Sequence, residues 1–400
     1  MSADGTPRDT RGSPPQETAS LALRTVSSIG EIAEAQWDRH AFPPGVPYNP
    51  FIAHRFLTLL EESGSIADDT GWRPNLLILE QGDDILGVAP AYLKGHSQGE
   101  YVFDHAWADA YSRAGGQYYP KLLIAAPFTP APGPRLLCAD RDHRPLLAGA
   151  IRQFTDQTGL SSVHINFITQ AERTLLEADG YLARLGEQFH WANRGYETFD
   201  DFLAALASRK RKTIRQERRK ATEQGIRIEN ITGCDLKEHH WDSFWVFYQD
   251  TGMRKWGTPY LTREAFSLLG ERMADDLLLT LAYADGGTEP IAGALHFIGG
   301  DTLYGRYWGC TEQAKFLHFE CCYYQAIEYA ITAGLARVEA GAQGTHKLAR
   351  GYEPVPTFSA HYLPDPNFRE AVSRYLAHER HGVAEDIAAL KNYTPYKKTV

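Results

Sequence analysis

NLLILEQGDDILGVAPAYLKGHSQGEYVFDHAWAD at residues 75–109 and LLLTLAYADGGTEPIAGALHFIGGDTLYGRYWGCT at 277–311 carry the same order of features half a chain apart. Each reads as an apolar strand, a Gly/Asp turn, a second strand with an early glycine (Gly87, Gly293), a Gly-rich turn and a third, aromatic strand. A helix-forming stretch and another strand follow in both: LLAGAIRQFTDQTGL then SSVHINFIT, and HFECCYYQAIEYAI then ARVEAGA. One shared hairpin is common among α/β chains, but a matched order of several elements predicts an internal duplication with mixed sheets and helices.

The later copy is defined in more detail. Phe319, Cys322, Tyr323, Ala326, Ile327, Ala330 and Ile331 recur at helical spacing and predict one buried stripe, with Gly334 as the left-handed stop. In ARVEAGA the period drops to two, so Arg337 and Glu339 share one face of a strand and Val338 takes the other. The polar loop GAQGTHKLARG follows at once, where open α/β sheets place their ligands.

Working outward, 400 residues exceed the usual size of a single core, and 43% hydrophobic residues supply two. The expected division is a disordered tail over 1–20, one domain over 21–195 and a second over 196–400. A net charge of -9 argues against a general nucleic-acid coat or an anionic membrane as the main partner. Five cysteines without a CxxC pair encode neither a disulfide framework nor a cysteine-rich zinc site. No apolar run reaches the ~20 residues of a membrane span, and no signal-peptide core is present, so a cytoplasmic protein is expected. HERH at 378–381 misses the HExxH spacing, GxSxG and GxxxxGK[ST] are missing, and no metal site is expected.

Between the halves, FDDFLAALASRKRKTIRQERRKATEQG predicts a helix near 200–222 capped by Asp200 or Asp201. From Arg209 to Lys220 it carries eight basic residues against one acid. A solvated helix face explains such a run; a phosphate-bearing ligand held by Arg211, Lys212, Arg215 and Arg218 explains its density better.

PFTPAPGPRLL (127–137), HINFIT (164–169), the basic stretch, and the run from GRYWG to EAGAQGTHKLARGYEPVPTFSAH (305–361) resemble the bacterial GNAT-like family labelled peptidoglycan biosynthesis or recognition proteins, relatives of the Fem aminoacyltransferases. The resemblance spans about residues 22–390. It implies two tandem GNAT-like domains and an acyl- or aminoacyltransferase that forms an amide on a small amine or amino-acid acceptor. The donor would be a co-substrate, aminoacyl-tRNA or acyl-CoA, with no bound cofactor and with tRNA reached through the basic helix. WGCTEQAKFLHFE, where CoA-dependent GNAT proteins carry a glycine-rich pyrophosphate loop, has no glycine after Gly309, which weighs against conventional CoA binding.

Amide formation needs a neutral amine, a base and donors facing the developing oxyanion. Glu339 is the first choice of base, with an ion pair to Arg337 or Arg306 as its plain alternative; His346 is the second. Lys347 and Arg350, three apart, suit a shared phosphate or carboxylate, and Gln343 lies beside them. Arg306 sits on a strand among aromatics, and of Tyr307 and Trp308 at most one should line a pocket, with Trp308 taken as the contact. Glu320 opens a helix, where the dipole alone explains a carboxylate, and it also stands as a substrate contact. In the first half Trp107, ending the matching strand after Asp104 and His105, and Arg135 complete the expected binding set. An acyl-carrier-protein-dependent N-acyltransferase and a non-catalytic recognition module remain the other readings.

Overall fold

The computed structural model describes residues 20–223, 225–255, 259–341 and 344–397, with backbone alone for 253–255; the tail before Ser20 and Gln343 lie outside the described residues. The first half supplies β1 (Leu21–Val26), β2 (Trp72–Pro74), β3 (Leu76–Gln81), β4 (Asp84–Ala89), β5 (Ala91–Lys94), β6 (Lys121–Ile124), β7 (Val163–Ile168) and β8 (Leu182–Ala192). The second supplies β9 (Arg227–Thr232), β10 (Leu277–Tyr283), β11 (Pro290–Gly299), β12 (Thr302–Cys310), β13 (Arg337–Glu339) and β14 (Glu353–Tyr362). They form a 3-stranded sheet, β1-β3-β4, and an 11-stranded sheet, β2-β5-β6-β7-β14-β8-β13-β12-β11-β10-β9.

Pro90 separates β4 from β5 and Asn75 separates β3 from β2, so one long hairpin bends from the small sheet into the large one. Proline has no N–H for the ladder, and a sheet breaks readily there. With that bend counted, both halves run in the same order, ending in a parallel pair (β6 with β7, β12 with β13) bridged by a helix. The next neighbour is exchanged: β14, from the second half, pairs with β7, and β8, from the first, pairs with β13. β8 and β14 then pair with each other over nine residues, Leu182–His190 against Glu353–His361, and seal the two halves into one sheet. The fold is α/β, built from two halves that repeat one order of strands and helix.

Two expectations change. The stretch read as a third aromatic strand near 101–109 is instead the helix His105–Arg113, and the strand it stood for is β6. Alternating alanines favour a helix, and Trp107, Ala108 and Tyr111 pack on one side of it. β6 is only KLLI, too short to announce itself by pattern. The helix expected near 200–222 is two helices, Phe199–Ala205 and Ser208–Thr222, parted where Leu206 bridges to Tyr396. Thr198 caps the first, and Asp201 reaches back to close the capping box.

The helix expected after β12 is present but uneven: a π-helical turn spans Glu320–Tyr324 before regular helix over Gln325–Thr332. Its buried side, with Ala326, Ile327, Ala330 and Ile331, packs on Leu303 and Val338. The helix Glu238–Lys255 crosses β12 on the other face at Gly309, where an added Cβ would stand 2.1 Å from the Phe247 carbonyl oxygen. That close approach needs glycine.

Candidate active site in the second half

β12 and β13 pair only over Thr302–Tyr304 and Arg337–Glu339. Beyond them β12 continues to Cys310, whereas the chain after Glu339 turns away. The strands part like a wedge, and a cavity of about 710 Å³ fills the opening. Its volume lies within the range of small-molecule sites.

A β-bulge places the first cation. His296 pairs with Gly305 and Leu295 with Tyr307, leaving Arg306 as the extra, unpaired residue on β12. Its guanidinium donates to the Phe128 carbonyl of the first half, and its buried Nε has no hydrogen-bond partner. Tyr307 packs edge-on to Tyr248 on one face of the sheet, and Trp308 edge-on to His318 on the other. The expected alternation holds, yet both rings line the cavity because the wedge is open through the sheet.

The second cation comes from the turn Thr345–Arg350, entered at Gly344 and left at Gly351, both at positive φ. Lys347 is 2% exposed and donates to the carbonyl oxygens of Ala340 (2.6 Å) and Gly341 (3.1 Å), where the strands part. Burial pulls its pKa down to about 8. Beside it His346 Nε2 shares a 2.9 Å hydrogen bond with Tyr323 Oη. Lys347, His346, His318, Tyr323 and Cys322 all line the cavity with Arg306 and Trp308.

Glu339 is close by but turned elsewhere. Its carboxyl is buried, with Oε1 3.8 Å from His190 Nδ1 and Oε2 without a partner, while Ala340 and Gly341 rather than Glu339 line the cavity. Burial raises its pKa to about 8, more than Arg337 and Arg306 offset. His190 across the ladder is held uncharged by the same burial, at about 3.

Other candidates are engaged in structural pairs. Arg218 binds Glu320 (2.9 Å) and Glu328 (2.6 Å) and lies over the Phe199 ring, so Glu320 is tied to the basic helix and to Gln325. Arg350 pairs with Glu217 (2.9 Å), donates to the His346 carbonyl and lies 3.3 Å from the Phe319 ring centroid. Arg215 holds Asp200 at 2.8 Å on the surface; Lys212 is exposed and Arg211 half-buried. None of these basic residues lines the wedge cavity. Arg135 is buried, donating to the Ala131 and Pro134 carbonyls, with its pKa lowered to about 10 by burial. Trp107 packs against His361 and under the Arg184 guanidinium. Both stand outside the cavity.

Sequence reasoning missed Tyr248, Tyr260, Tyr101 and Tyr323 as lining residues. The first three come from distant segments, and nothing local marks them. Tyr323 was assigned to the buried stripe, and it serves both. Among the described residues no cluster of His, Cys, Asp or Glu has the arrangement of a metal site, and no helix is long and apolar enough to cross a membrane.

A family model described as FemAB-like, peptidoglycan biosynthesis/recognition, matches residues 28–398. The chain belongs to this family. Solved structures with the same fold include FemX, 12% identical over 86% of this chain and 98% of that one, with a TM-score of 0.55. Another is the C-terminal domain of a putative lysylphosphatidylglycerol synthetase from Agrobacterium fabrum, 12% identical over 88% of this chain and 96% of that one, with a TM-score of 0.54. At such identity they establish for this FemAB-like chain a shared fold. A comparison with curated proteins returns no match.

Proposed function

We propose that this FemAB-like protein is an acyltransferase that joins an acyl group to an amine in the wedge between β12 and β13. The observation that carries the reading is Lys347, an ammonium buried at the wedge, held by carbonyl oxygens and facing a cavity. A cation buried without a carboxylate beside it is costly unless its charge is used. In acyl transfer a negative charge develops on the carbonyl oxygen, and a preset donor there contributes to rate.

The chemistry follows from the groups around it. A neutral amine attacks the carbonyl carbon of an acyl ester or thioester, forming C–N while Lys347, with Arg306 behind it, stabilises the oxyanion. The amine proton passes through the Tyr323 hydroxyl to His346, the hydroxyl giving one proton as it receives another. Collapse breaks the C–O or C–S bond, and the imidazolium returns its proton to the leaving group. His346 is the base in this scheme because it lines the cavity, whereas the Glu339 carboxyl does not and is uncharged at neutral pH.

The test is mass spectrometry of products from purified protein given aminoacyl-tRNAs, acyl thioesters and a pool of amines and amino acids. A new amide is expected, and His346→Gln should lower its rate about 10²- to 10⁴-fold with folding intact. An unchanged rate in that variant removes His346, and no amide from any donor removes the reading.

A further inference from the structure

The wedge cavity has an uneven chemistry. Its described walls include the rings of Tyr248, Tyr307, Trp308 and Tyr323 and the cations Arg306 and Lys347, and among the described lining residues none is Asp or Glu. The adjoining stretches MRKWGT (253–258) and AQ (342–343) contain no acid in sequence either. Glu339, at the end of β13, has its carboxyl against His190 and is held protonated by burial, and Glu312 lines a separate pocket that meets this one at Thr251, Trp308 and His318. The carbonyl oxygens of Ala340 and Gly341, which would otherwise receive an ammonium, already accept from Lys347.

From this we infer that the acyl group taken by the cavity is apolar and carries no amino group: a fatty or aryl acyl group on an ester or thioester, rather than an aminoacyl group. The inference rests on the acyl-transfer reading and deepens it by fixing the donor's chemical class. The magnitudes decide between two opposing effects. An ammonium roughly 5 Å from one fixed cation, at an effective dielectric near 20, is disfavoured on the order of 10²-fold, and two cations flank this space. Aromatic faces attract cations, but that attraction returns only about tenfold. Repulsion wins, while the same rings welcome a hydrocarbon chain and the same cations welcome its carbonyl oxygen or carboxylate.

The binding test uses two probes of equal chain length on the wild-type, full-length protein: decanoate and decylamine, titrated by calorimetry at pH 6.5 below their micelle concentrations. Decanoate should bind at least about 30-fold more tightly, and Arg306→Gln should narrow the gap about tenfold. Equal affinities, a preference for decylamine, or no binding of either would overturn the inference. A second arm compares amide formation from a decanoyl thioester and from leucyl-tRNA at the same pH. Preference for the thioester supports the inference, and preference for leucyl-tRNA overturns it while leaving acyl transfer intact. A decanoate preference with no product from either donor sinks the transfer reading and leaves the cavity's ligand class standing, so the two failures are distinguishable.

Discussion

Glu339→Gln turns a buried carboxyl into a measurable pH dependence. In the folded protein burial holds the group's pKa at about 8 against an ordinary 4.5, so between those values the folded state keeps a proton that the unfolded chain has lost. Where the folded state binds more protons, stability falls as pH rises, by about 1.4 kcal/mol per pH unit for one proton. Across this window the loss sums to roughly 3–5 kcal/mol, complete above pH 8 and absent below pH 4.5. Glutamine mimics the neutral acid and does not titrate. The variant should therefore match wild type within about 1 kcal/mol at pH 5 and exceed it by roughly 3 kcal/mol or more at pH 8.5. Urea unfolding at half-unit pH steps measures this directly. A variant less stable than wild type at pH 8.5 would show that Glu339 is ionised and paired, refuting the argument and restoring it as a candidate base. Where turnover is measurable, Glu339→Gln should cost less than about tenfold, against the larger loss expected for His346→Gln.

Lys347→Met should lower turnover about 10²- to 10³-fold, with a melting temperature at or above that of wild type because a buried charge is removed; unchanged turnover removes Lys347 from the mechanism. Arg218→Ala leaves the buried Glu320 without its cation and should destabilise by about 3 kcal/mol in urea unfolding, whereas Arg215→Ala, whose partner is exposed, should change little. Gly309→Ala should lower the melting temperature by 10 °C or more, since its Cβ would meet the Phe247 backbone and force the Glu238–Lys255 helix off β12.

The duplicated order of strands was legible because hairpins repeat their turn glycines and because the helix after β12 has strong periodicity. The helix His105–Arg113 and β6 were not, since an aromatic-rich stretch with alternating alanines fits either pattern and KLLI is too short to have one. At the site, proximity in sequence gave Arg306, Trp308, His346 and Lys347, which β12 and the turn after β13 bring to one cavity. The same proximity grouped Glu339, Glu320 and Arg350 with them, and only the fold distinguishes a side chain facing the wedge from one paired behind it. Glu320 and Arg350 find their partners on the basic helix, more than a hundred residues earlier. Long-range pairing of that kind leaves no local mark.

The crossed-over strands bear on how the molecule comes together. A chain cut near Gly195 yields two pieces, neither self-sufficient: the first keeps β8 but has no β14 to flank β7, and the second keeps β14 but leaves β13 with a bare edge. Exposed edges of that sort invite sticking to other chains. Produced apart, the pieces should aggregate; produced together, they should find each other and rebuild the wedge. Synthesis from the N-terminus thus leaves the leading half waiting for a strand that emerges almost last.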